Sequence, residues 1–163
     1  MLMNLNGEVL EAEPLRDGMD LSGRNLTRAN FRTTVLDGLD LSGADLREAD
    51  FYRSDLYWLN LFNSDCRGAS FFGATLEGVN FKSACLRRVD FSEARILPDR
   101  LGRASSFAHA DLTGATLAGA ELAGTEYDSK TIFPSGFEPG PHGLILVEVK
   151  DDWLLVPVCK DDL

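Results

Sequence analysis

No stretch of this 163-residue chain is apolar for long enough to cross a bilayer. Its opening, MLMNLNGEVLEAEP, has neither a basic start nor a long apolar run, so it does not read as a secretory signal. The expectation is a cytoplasmic protein that does not engage membranes. Cysteine is scarce. Cys66, Cys85 and Cys159 lack the spacing of a metal site or of a disulfide framework. Cys66 reads as a small core hydrophobe, Cys85 as an outward-facing residue and Cys159 as part of the tail. Histidine is scarcer still. Neither His109 nor His142 has a carboxylate or cysteine at catalytic or ligand spacing, and His109 reads as a solvated surface residue. There is no GxGxxG and no Walker loop. The expectation is therefore no cofactor, no metal and no enzymatic activity.

What the chain does have is a period of five. A large apolar residue, here termed the centre, recurs without a break from Leu21 to Ile96, and only Cys66 among the centres is not Leu, Ile or Phe. Neither an α-helix nor a flat strand keeps such a spacing on one face. The chain must bend once per quintet. Two residues before the centre the slot is mostly small, as at Ala29, Ala44, Ala49, Ser54, Ser64, Ala69 and Ala74. An extended chain points those two slots to the same side. The slot between them is polar and faces out, as at Asp20, Asn25, Asp40, Asp45, Asp65 and Asp90. Two residues after the centre, glycine recurs at Gly23, Gly38, Gly43, Gly68, Gly73 and Gly78, which suits a tight turn with positive φ.

A longer period lies inside the first. Phe31, Phe51, Phe71 and Phe91 are twenty residues apart. Four quintets per coil would stack these rings in one column; three would scatter them. The chain thus reads as an all-β, four-sided parallel solenoid of about five coils, each resting on the last at roughly 4.8 Å. The many aspartates follow from the repeat, and hydrogen bonding along the outer face and at turns accounts for them without acid–base chemistry.

The tandem A-[DN]-[LF]-x-x pattern, in ANF, ADLRE, ADFYR, GVNFK and ADLTG, resembles the pentapeptide-repeat family over about residues 19–127. The resemblance implies a right-handed quadrilateral β-helix. T-x-F-P-x-G-F-x-P, from Thr131 to Pro139, is similar to the segment that follows the repeats in many cyanobacterial members.

Residues 1–18 read as an N-terminal cap, helix or strand undecided, with Leu5, Val9 and Leu10 over the open first coil. Arg24 occupies an inward slot of that coil and is expected to leave through the open end, towards Glu8, Glu11 or Glu13. Residues 19–127 are the solenoid. Its phase slips after Ile96, because LPDRLGRASS makes the step from Ile96 to Phe107 eleven residues, one more than two quintets. Either Leu101 is a centre followed by a one-residue bulge, the favoured reading, or the segment is a short loop carrying Pro98. Phe107, Leu112, Leu117 and Leu122 resume the series and Tyr127 closes it. Residues 128–163 form a C-terminal cap and tail. Phe133 and Phe137 would plug the last coil. GLILVEV and WLLVPV, separated by KDD, read as a β-hairpin with Pro157 on an edge.

Folding the sequence onto four faces gives two candidate surfaces. Arg47, Arg67 and Arg87 form a column, with Arg88 beside it. It is either an Arg–Asp ladder that neutralises itself or a basic strip for an acidic partner. Arg32, Tyr52 and Phe72 form another, with Tyr57, Trp58 and Phe62 on the faces beyond. These are slots where the repeat otherwise places polar residues, and they are the candidate partner surface, with scattered aromatics covered by the termini as the alternative.

A filled Leu and Phe interior leaves no room for a substrate. The expected function is a non-catalytic scaffold or protein–protein interaction module, monomeric by default, with a dimer through the tail or the aromatic patch as the alternative. Some members of the family bind DNA gyrase by presenting an acidic rod that imitates duplex DNA, and the resemblance makes that the second reading. The total charge is −10, yet residues 19–127 hold 15 acids and 12 bases. A rod so nearly balanced is a poor imitation of DNA, and direct nucleic-acid binding is not expected either.

Overall fold

The computed structural model describes residues 2–4, 6–11, 13–148 and 159. The architecture is an all-β repeat solenoid. β3 (Val35–Asp37), β4 (Asp55–Tyr57), β5 (Thr75–Glu77) and β6 (Arg95–Leu97) pair in parallel and in register, each with the residue twenty positions on. Up to Asp90 the other three faces carry single bridges with the same offset, such as Asp20 to Asp40 to Asn60. Every face therefore repeats once per twenty residues, as four quintets per coil require.

The reason lies in how each corner is satisfied. The outward Asp or Asn accepts the backbone N–H two residues on: Asp20 from Ser22, Asp40 from Ser42 and Asp50 from Tyr52, each at 2.9 Å. That hydrogen bond closes the turn locally. The fourth face differs. Its slots hold Val35, Asp55, Thr75 and Arg95, and the backbone there stays extended in β3 to β6. β-branched Val35 and Thr75 suit a strand better than a turn.

Positive φ recurs two residues after the centres from Leu21 to Phe91, at Gly43 (64°) and Gly68 (69°) but also at Arg28, Thr33, Glu48, Arg53 and Trp58, and again at His109 after Phe107. The corner demands this geometry of whichever residue stands there. Glycine meets it without strain, and a side-chain-bearing residue only at some cost.

Centres and small slots fill the interior. Phe31, Phe51 and Phe71 stack with centroids 4.5 Å apart at each step, and Phe91 continues the column at 5.2 Å. Phe81 meets Phe71 and Phe91 edge-on. Cys66 is fully buried, and burial pushes its thiol up to about 12. Arg24 is exposed, outside the core.

Several expectations need correction. Leu101 is not a centre; it is 79% exposed. Phe107 stacks directly on Phe81 at 5.1 Å, so the coil between them has six extra residues, carried as a loop outside the fourth corner. The interior register thus stays intact, which a bulge inside a face would not allow. The N-terminal cap is an antiparallel pair, β1 (Leu2–Met3) with β2 (Val9–Glu11). Leu2 and Leu15 pack on the core, whereas Val9 is 54% exposed on the outer side of its strand. Leu5 and the Leu10 side chain lie outside what is described.

At the other end, β7 (Glu126–Tyr127) extends the first face. Phe133 and Phe137 pack against the core, with Phe133 edge-on to Tyr127 and stacked on Phe137 at 5.2 Å. A short 3-10 turn, Gly140–His142, leads to β8 (Ile145–Leu146), which pairs in parallel with β7. The GLILVEV segment thus adds to the solenoid edge. Its proposed hairpin partner, WLLVPV with Pro157, lies outside the described residues.

Cys85 is not outward. It is fully buried and forms a disulfide with Cys159, 74 residues on. Spacing rules detect cysteines that are neighbours in sequence; this pair meets only because the tail returns to the fourth coil.

Candidate interaction surface

The arginine column is a ladder. Arg47 grips Asp45 through two nitrogens at 2.6 and 2.8 Å, and Arg67 grips Asp65 likewise at 2.7 and 2.9 Å. Arg87 has Cys85 in the corresponding slot, so it reaches one coil up to Asp111 at 2.6 Å. Arg28 lies 3.6 Å from Glu48, and Arg88 is exposed beside the column. The hydrogen bond from Arg47 holds Asp45 below the usual carboxylate range. Burial alone would raise Asp111, but hydrogen bonds from Thr113 and Arg87 outweigh it and lower it. With each aspartate matched by a guanidinium, the column offers little net field to an acidic partner.

The aromatic residues divide into two groups. Tyr52 stacks on Phe72, with centroids 5.6 Å apart and planes 13° apart. Arg32 lies over the Tyr52 ring at 4.4 Å and Arg53 at 5.2 Å, while Arg32 also pairs with Asp50 at 2.7 Å. Tyr52 and Phe72 are half-buried, with cations on the tyrosine face. Phe62 is half-buried two quintets on, at the opposite side of the coil from Tyr52 and Phe72, and among the described residues no ring stacks on it.

Trp58 and Tyr57 form the second group. Trp58 is 43% exposed, yet it is firmly seated. Its indole Nε1 donates to Asp99 Oδ2 at 2.7 Å, and the Arg103 guanidinium lies over the ring at 4.9 Å. Gly78 lies beneath; a Cβ there would come within 2.9 Å of the indole. Asp99 also accepts from the backbone N–H groups of Leu101 and Arg103, each at 2.8 Å, and from Arg103 Nε. Burial would raise this carboxyl, but the hydrogen bonds from Arg103, Trp58 and Leu101 prevail and hold it at about 2. Tyr57 sits between Asp37 and Glu77 in the parallel register. The inserted loop closes over this corner and leaves a surface cleft of about 260 Å³. Sequence reasoning found both aromatics but not Asp99. Its one available signal was its phase: this aspartate does not fall in the outward slot of the repeat.

His109 is buried, 1% exposed, contrary to expectation. The chain after Tyr127 crosses over its corner. Asp128 accepts the His109 backbone N–H at 3.0 Å and pairs with its Nδ1. Asp128 also accepts from Lys130 and Thr131 backbone N–H groups at 3.1 and 2.9 Å. Ser83, one coil below, completes the residue types of a hydrolytic triad. Its Oγ has no hydrogen-bond partner among the described residues, however, and Ser83, His109 and Asp128 are all buried away from any substrate. Among the described residues no group of His, Cys, Asp and Glu is placed to hold a metal ion.

A filled solenoid that displays side chains only on its outside is a repeat protein of the quadrilateral β-helix class. Residues 18–53 and 54–93, just under half of the chain, match the family model for pentapeptide repeats, in eight copies, and this stretch is a run of pentapeptide repeats. Similar solved structures include alr5209, a pentapeptide repeat protein from Nostoc PCC 7120, at 27% identity, covering 78% of this chain and 84% of that one, with a TM-score of 0.39. HetL, a pentapeptide repeat protein involved in heterocyst differentiation regulation in Nostoc sp. PCC 7120, is 20% identical over 79% of this chain and 81% of its own, with a TM-score of 0.37. QnrB1, a plasmid-mediated fluoroquinolone resistance protein, is 21% identical over 80% and 78%, with a TM-score of 0.36. No curated protein matches the chain.

Proposed function

We propose that this protein is a non-catalytic interaction module that binds another protein through its aromatic corners. Trp58 is the observation that carries the reading. It stands at φ 56°, in a corner position that six other quintets of the regular stretch give to glycine and eight give to the polar residues Arg28, Thr33, Glu48, Arg53, Asn63, Ser83, Arg88 and Glu93, so the ring, not the φ, sets it apart. A bulky residue in that conformation costs on the order of 1 kcal/mol, and the solenoid needs no ring there. Seating by Asp99, Arg103 and Gly78 holds the indole in place while leaving it partly open to solvent. The Tyr52–Phe72 stack adds a second rigid apolar contact of the kind that anchors interfaces. The interior is filled, so the reading needs no catalytic pocket. Cytoplasmic residence and a monomeric state belong to the same proposal; the Cys85–Cys159 disulfide counts against the first, because a reducing cytosol disfavours such a bridge, and fractionation and sedimentation test them.

The test is an unbiased pull-down from the native host, comparing wild type with a Tyr52/Trp58/Phe72 triple alanine variant. Partners should be lost from the variant; identical profiles would remove the aromatic corners as the site. Purified gyrase should keep its supercoiling activity, and its inhibition by quinolones, in micromolar amounts of this protein, because the rod's charge is nearly balanced and bases are interleaved with its acids. Protection of gyrase would restore the DNA-mimic reading.

A further inference from the structure

We propose that the cleft beneath the inserted loop is a receptor for an arginine side chain presented by the partner protein. This deepens, and rests on, the interaction reading above.

The cleft is built from three parts. They are the aromatic residues Tyr57 and Trp58, the loop residues Asp99, Arg100 and Leu101, and the acids Asp37 and Glu77. The parallel register places Asp37 one coil below Tyr57 and Glu77 one coil above. The two acids therefore stand on the strands either side of Tyr57, each backbone roughly 4.8 Å from its own. A planar cation lying on Tyr57 would meet the negative face of the ring and both carboxylates at once. Neither carboxylate has an ion-pair partner among the described residues. Asp17 adds a fourth acid nearby, its Oδ1 accepting the Asp37 backbone N–H at 2.9 Å. Against these acids the cleft sets Arg100 alone, because Arg103 is already engaged with Asp99 and Trp58.

The same wall already holds one guanidinium. Arg103 lies over the indole and donates to Asp99. Tyr57 with Asp37 and Glu77 repeats that combination of ring and carboxylate one position along, with the cation missing. The complementary group is thus a guanidinium, flat enough to lie on a ring and able to donate to two carboxylates. The cleft exists only because the loop inserts at this corner. A perfect repeat would place another quintet there and leave a flat face.

Trp153→Phe makes Trp58 the sole indole of the chain and gives the readout. In that background, Trp58 emission is followed while acetyl-Gly-Arg-Gly-amide is titrated in. The same peptide with citrulline, which keeps the shape and loses the charge, is the comparison. A saturable change with the arginine peptide, at least about tenfold weaker with citrulline, is expected. Asp37→Asn with Glu77→Gln should weaken binding about tenfold, with the melting temperature unchanged because both side chains are on the surface. Arg100→Ala should strengthen it. A charge-matched control, Glu93→Gln with Glu138→Gln, lies outside the cleft and should leave binding unchanged. No saturable response, an equal response to citrulline, or an equal loss in the control variant overturns the proposal. If the host pull-down keeps its partners in Asp37→Asn/Glu77→Gln but loses them in the triple alanine variant, the cleft is overturned and the interaction module stands.

Discussion

Between Leu21 and Ile96 the solenoid is held by its backbone and its interior, with every face obeying one offset of twenty residues. The period is interrupted after Ile96 and ends after Tyr127, and at each of these breaks a single buried aspartate takes over. Asp99 collects two backbone N–H groups, an indole and a guanidinium around the loop. Asp128 collects three backbone N–H groups and the His109 ring where the last coil departs from the repeat. The difference is instructive. In the regular coils a lost side chain leaves the ladder with the same neighbours above and below. At the breaks the backbone donors have no coil to pair with, so one acceptor must gather them.

The largest test of that contrast is Phe71→Ala. Phe71 touches Phe51, Phe81 and Phe91, so its loss should open a cavity shared by three coils and destabilise the whole solenoid by about 3–5 kcal/mol in chemical denaturation. A loss confined to one coil would mean that the coils are less cooperative than their shared interior implies. Next is the Cys85–Cys159 bridge. Its reduction, or Cys159→Ala, should lower stability by about 2–4 kcal/mol. Hydrogen exchange should rise near Cys85 and Asp111 and stay slow around Phe31. Uniform exchange would place the bridge in the same cooperative unit as the first coils.

Acidification, read through Trp58, probes the loop. Asp99 has a folded pKa of about 2, below its unfolded value of roughly 3.9. Its contribution is therefore present above about pH 4 and is lost as pH falls towards 2. Trp58 emission in the Trp153→Phe background should shift across that window, before the ladder of the regular coils melts. Asp99→Asn should abolish the step. The smallest effect has the opposite sign. Thr33 is β-branched at φ 53° on an exposed corner, and Thr33→Gly should raise stability by about 1 kcal/mol. Destabilisation would mean that the hydrogen bond from Thr33 Oγ1 to the Arg32 carbonyl, at 2.7 Å, outweighs the backbone strain.

The sequence shows the regular coils because their information is local and repeated. A five-residue rhythm fixes which side chains face inward, and its twenty-residue overtone fixes the number of faces. The phenylalanine column of Phe31, Phe51, Phe71 and Phe91, the paired arginines of the ladder and the aromatic corners all follow from those two periods. The sequence also located the slip near residues 97–106, although not its geometry. Leu101 had the right spacing for a centre, and spacing carries no record of whether the next coil waits for it.

What only the tertiary structure decided are the meetings between residues that the period does not relate. Asp99 reaches Trp58 across 41 positions, Asp128 reaches His109 across 19, and Cys159 returns to Cys85 across 74. Each depends on where a departing segment lands on the solenoid. That is set by packing and by the search of buried donors for an acceptor, neither of which has a signature in local residue order. By itself the sequence determined a four-sided stack and the side chains displayed on it. The folded chain decided which of those side chains are anchored, which are covered, and where a cleft opens, because those outcomes rest on contacts between turns rather than on the rhythm within them.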